Sequence, residues 1–144
     1  MSAPPPSGDE VARSEVTFAT IDPDLDTPAV AVHLAAALTD AGFRCDAPRD
    51  IGGPVSLRVR AGRRGFSLLI GQLPGERRWL VSTSSGVMPM MRLLGDRADD
   101  QRRELVTAIH EALAARPELV DIRWFAPGAR RGADDDPWAA TPSG

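Results

Sequence analysis

Val55-Ser56-Leu57-Arg58-Val59-Arg60, followed by Ala61-Gly62-Arg63-Arg64-Gly65 and then Phe66-Ser67-Leu68-Leu69-Ile70, is the stretch that decides the fold. Its first six residues alternate, with Val55, Leu57 and Val59 on one side and Ser56, Arg58 and Arg60 on the other. That is the period of a strand with one buried face. The Gly-containing centre reads as a hairpin connection, after which Phe66, Leu68 and Ile70 resume the apolar side. A parallel sheet buried on both faces would read as unbroken apolar runs, so these strands belong to a mostly antiparallel sheet covered on one face.

Working outward, the same logic yields the cover. Glu15–Ile21 is rich in β-formers, with Val16 and Phe18 alternating against Thr17. Thr27 is the expected N-cap of a helix over Pro28–Ala41, with Pro28 at its first position and Gly42 as its stop. Val30, Leu34, Ala37, Leu38 and Ala41 form its apolar stripe. A short strand follows at Phe43–Ala47, and Pro74-Gly75 turns the chain into another at Arg78–Ser84. Asp96 or Asp99 opens a second helix to about Ala115, striped by Leu105, Val106, Ile109, Ala112 and Leu113 and ended by Pro117. The last strand, Val120–Phe125, directs Val120, Ile122 and Trp124 inward and Asp121, Arg123 and Phe125 outward.

The resulting order is β-α-β-β-β-β-α-β. It specifies an α+β two-layer sandwich with two amphipathic helices on one face of a mostly antiparallel sheet of about five strands. Residues 1–13 and 127–144 are rich in Pro, Gly, Ala and charge and are expected to be disordered tails around a single domain at 14–126. No internal repeat is visible.

Composition removes many chemistries. Lys, Tyr and Asn are absent from the 144 residues, which excludes a Schiff-base lysine, a phosphate-loop lysine and a tyrosine acid. The missing types share AT-rich codons, which points to a high-GC bacterial genome. All seventeen basic residues are Arg, a side chain suited to recognition more than to proton transfer. The lone Cys45 forms no internal disulfide. No signal peptide is apparent, and Ala29–Leu38 is too short to span a bilayer, so the cytoplasm is the expected compartment. Charge is uneven: residues 1–40 carry −6, residues 41–78 carry +5 and residues 79–144 carry −2. A basic middle invites an anionic partner or a self-balancing surface.

Local motifs for catalysis or metal binding fail on inspection. His110-Glu111 lacks a second His at position 114, which is Ala114, so no zinc-protease helix forms. Asp22, Asp24 and Asp26 mimic a calcium loop, yet Thr27 and His33 stand where Gly and Glu are required, and helix capping accounts for the acids. Ser82–Ser85 offers hydroxyls whose base would have to be His33 or His110, leaving a small hydrolase with a His/Ser pair as the remotest reading. No cofactor and no metal ligand set is expected.

Two surfaces remain. The outer sheet face is expected to carry Arg58, Arg60, Leu69 and Arg123, with Phe125 at its margin, the residue types of an interface core. The Met-rich run Val87–Leu94, with Met88, Met90 and Met91, reads either as core cover or as an adaptable docking segment. The expectation is therefore a non-enzymatic bacterial protein-interaction module, of adaptor, chaperone or immunity-protein type, with another protein as partner. The alternative is an anion or nucleic-acid binder using the 58–78 region, including Arg63, Arg64, Arg77 and Arg78. Nucleic acid is disfavoured because a stacking platform wants two or more aromatics on central strands. Trp138, after three aspartates, is a possible short docking motif in the tail.

Overall fold

The computed structural model describes residues 14–74, 77–85, 96–125 and 138–142. The elements run β1 (Glu15–Thr20), α1 (Thr27–Asp40), β2 (Arg44–Cys45), β3 (Arg49–Asp50), β4 (Val55–Ala61), β5 (Arg64–Gln72), β6 (Arg78–Ser85), α2 (Asp96–Ala114) and β7 (Leu119–Phe125). Seven strands form one sheet in the order β2-β4-β5-β6-β1-β7, with β3 also paired to β4. Every pairing is antiparallel. The fold is α+β, two helices packed on a sheet. The count exceeds five because β2 and β3, two residues each, both line the edge of β4.

The β4–β5 hairpin follows the alternation read above. Val55, Leu57 and Val59 pair with Ile70, Leu68 and Phe66, and all six are buried. Gly62 has φ +63°, and a side-chain carbon there would come 3.1 Å from the Gln101 amide. It therefore meets both a turn backbone that side chains resist and the approach of α2.

The inner face carries Val16, Phe18, Trp79, Val81 and Trp124 alongside the hairpin residues, all buried. Val30, Leu34 and Leu38 from α1, and Leu105, Ile109 and Leu113 from α2, close over it. Burying one such side chain contributes on the order of 1.5–3 kcal/mol. Phe18 and Trp79 stack with centroids 6.3 Å apart, and the Trp79 indole N–H donates to Thr27 Oγ1 at 3.2 Å.

That last bond explains a correction. The N-cap of α1 is Asp26, whose carboxylate accepts from the Ala29 N–H at 2.9 Å, while Thr27 lies inside the helix. Trp79 engages the Thr27 hydroxyl, and the preceding acid does the capping.

A second correction concerns β7. Its register against β1 shifts between Thr17 and Ala19, and Asp121 sits at φ 54°. This β-bulge turns Val120 to the outer face, opposite Ala19, while Leu119, Ile122 and Trp124 face the helices. Phe125 lies on the outer side as expected but is buried, at 3% exposure, and offers no free ring to a partner. Residues 138–142 rejoin the domain: Trp124 and Ala139 exchange backbone hydrogen bonds of 2.8 and 2.9 Å. Of the tails expected to be disordered, residues 1–13, 127–137 and 143–144 lie outside the described residues.

Candidate functional site: the outer face of the sheet

Arg58, Arg60, Leu69 and Arg123 share the face opposite the helices, because each pairs through the ladder with another outward residue. Arg58 lies opposite Ser67, Ser67 opposite Ser84, Leu69 opposite Ser82, and Arg123 opposite Thr17. Sharing a face does not make them one cluster. Four strand steps separate β4 from β7, roughly 19 Å at the usual spacing.

The β4 side holds the free charge. Arg44 lies directly across from Arg60, and Arg49 across from Ser56. Both join Arg58 on the outward side, and all four arginines are exposed. The ion pairs found among the described residues are Arg78–Asp121, Arg116–Glu118 and Arg123–Asp121, so none of the four pairs with a carboxylate of the described residues. The acids near this edge do not neutralise them. Asp50 accepts from the Gly53 and Gly52 N–H groups, which hold its carboxyl below the ordinary range. Asp46 meets Arg58 through its backbone, its N–H donating to the Arg58 carbonyl at 3.0 Å. Two guanidinium groups opposite one another disfavour the sheet, so the Arg44/Arg60 pair is a local cost to stability.

Beside this edge the floor is low and flat, with Gly65, Ser67, Ser82 and Ser84. An apolar row then crosses it diagonally: Leu69, then Leu80, then Ala19, with Val120 opposite Ala19. Leu69 is 43% exposed and Val120 36%.

The β7 side is occupied. Arg78 donates to Thr17 Oγ1 at 3.1 Å and to Asp121 Oδ2 at 2.8 Å, and Arg123 reaches Asp121 Oδ1 at 3.0 Å. Burial pushes the Asp121 carboxyl up, but the hydrogen bonds from Arg123 and Arg78 outweigh it and hold it below the usual range. Arg123 also lies 4.8 Å from the centre of the Trp138 ring.

The anion-binding set drawn from 58–78 does not converge. Arg63 is at the tip of the β4–β5 hairpin, and Arg64 pairs with inward Ala61. Arg77 and Arg78 stand at the other end of β5, roughly 27 Å away. Arg77 donates to the carbonyls of Asp22 and Pro23 at 3.1 and 3.2 Å and lies over Trp79, pinning the β1–α1 loop. Met88, Met90 and Met91 lie outside the described residues.

Each histidine ties two elements of the fold together. His33 Nε2 meets the Ala112 carbonyl at 2.8 Å, tying α1 to α2. His110 Nδ1 accepts from the Trp124 indole N–H at 3.0 Å. Ser82 and Ser84 face away from them across the sheet, so neither forms a His/Ser pair. Burial pushes the half-buried Cys45 thiol up, a nearby Thr39 hydroxyl draws it down, and Asp46 raises it again; the net direction is up, away from a reactive thiolate. Among the described residues no three His, Cys, Asp or Glu gather to hold a metal ion, and no helix is long and apolar enough to cross a membrane.

Sequence reasoning missed Arg44 and Arg49. Their signal was the +5 charge of residues 41–78, but their face depends on pairing within strands two residues long. No family model matches the chain, and neither a curated protein nor a solved structure matches it.

Proposed function

We propose that this chain is a non-catalytic protein-binding module whose outer sheet face receives an acidic, partly apolar segment of another protein. The observation that carries this reading is the group Arg44, Arg49, Arg58 and Arg60: exposed, on one face, and without an ion pair among the described residues. Carboxylates at alternate positions of an extended partner recur about every 6.8 Å, the same interval that separates Arg58 from Arg60 along β4. The Leu69–Leu80–Ala19 row supplies apolar contact beside them, and the Gly and Ser floor lets a backbone come close. A partner protein suits this face better than nucleic acid. Phe18, Trp79, Phe66 and Trp124 all point to the helices, leaving no aromatic on the outer face of the central strands for bases to stack on.

Copurification from native lysate, with and without nuclease, tests the reading against an Arg58→Glu/Arg60→Glu variant of the same melting temperature. The expected result is a protein associate that survives nuclease and is lost with the charge reversal. An associate retained by the variant, or retention on heparin at low salt that nuclease-sensitive material explains, overturns it.

A further inference from the structure

We infer that the outer edge of β7 is a strand-addition site for an extended peptide bearing an aromatic residue, and that residues 138–142 of the chain occupy it in cis. β7 is the last strand of the sheet path, so among the described residues one of its edges has no strand of the sheet beside it. At that edge the Trp124 N–H donates to the Ala139 carbonyl at 2.8 Å and the Ala139 N–H donates to the Trp124 carbonyl at 2.9 Å. This reciprocal exchange is one rung of an antiparallel ladder. The neighbouring Trp138 falls on the outer face, 4.8 Å from the Arg123 guanidinium.

Asp121, itself gripped by Arg78, holds the Arg123 Nε at 3.0 Å and presents the flat guanidinium to an aromatic ring. The cis segment uses little of what is available. Among the described residues it forms a single rung on a strand seven residues long, and Trp138 remains 48% exposed. Pairing of that extent is marginal alone, and the tether, which raises the local concentration of the segment, supplies the rest. A partner strand that kept the aromatic residue on Arg123 and made further rungs would displace it, as peptides add to open sheet edges elsewhere. None of the four free arginines at the β4 edge takes part, so this inference stands apart from the function proposed above.

The test uses the full chain and, as probe, a fluorescein-labelled peptide with the sequence of residues 133–144. A Trp138→Ala/Ala139→Pro variant vacates the edge, because proline has no N–H to give Trp124. It should bind the probe at least tenfold more tightly than the wild type, and a probe with its own Trp changed to Ala should lose at least tenfold. Equal binding by wild type and variant, no binding by either, or indifference to the probe's Trp overturns the inference. Hydrogen exchange read on a Trp138→Ala single variant gives a second arm that does not depend on the proline. The Trp124 amide should exchange at least threefold faster while β5 and β6 are unchanged; an unaltered Trp124 amide is equally contradictory.

Discussion

Asp121 shows how much one residue arranges. Its left-handed backbone, φ 54°, inserts the bulge that turns Val120 outward, and its carboxylate gathers Arg78 and Arg123. Asp and Asn are the non-glycine residues that tolerate this conformation best, so Asp121→Asn removes the charge and leaves the bulge. With the side chain 43% exposed, the loss in stability at pH 7 should be at most about 1 kcal/mol. The native carboxyl titrates below its unfolded value of about 3.9, so its contribution is complete above that pH and fades as pH falls through the native value. Denaturant melts should therefore show wild type and variant separated from pH 7 to 5 and converging as pH falls through the lowered native value. A gap that persists in acid would show that the charge is not the cause. The bulge was not legible in the sequence. Period-two reading of Val120–Phe125 carries every side chain across in strict turn, and nothing local in Val120-Asp121-Ile122 announces an extra residue. The roles of the histidines were equally hidden, because their partners, Ala112 and Trp124, come from elements that only the tertiary fold brings near.

At the scale of elements, α1 depends on its cap and β4 bears the strain of its neighbours. Asp26→Ala removes the acceptor for the Ala29 N–H and should lower stability by about 1 kcal/mol. Thermal melts would contradict the cap assignment if Asp26→Ala were neutral. Across β2 and β4, Arg60→Thr relieves the Arg44/Arg60 opposition and places a β-branched residue in the strand. It should raise stability by roughly 0.2–1 kcal/mol at low salt. The repulsive part of that gain should shrink in 1 M salt, where screening falls to about 3 Å. A destabilised Arg60→Thr would mean that the two arginines are not in conflict. β4 and β5 could be read because both have enough residues to display a period and a glycine turn between them. β2 and β3 could not, since two residues show no alternation; backbone pairing with β4 defines them.

For the whole molecule, the layer arrangement followed from alternation and two striped helices, whereas the strand order did not. Inserting β1 between β6 and β7 brings Arg78, Thr17, Asp121 and Arg123 together, and no sequence pattern encodes that step. It divides the outer face into a β7 side whose arginines are engaged and a β4 side whose arginines have no ion pair among the described residues. In the function proposed above, the β4 side receives a protein. Its most direct test is a photo-crosslinking amino acid at Ser67, across from Arg58 on the outer floor, compared with the same group at Val32, exposed at 61% on α1. A protein adduct is expected from position 67, abolished by Arg58→Glu/Arg60→Glu, with no such adduct from position 32. Identical adducts from both positions, an adduct that survives the charge reversal, or nucleic acid alone at position 67 would contradict it.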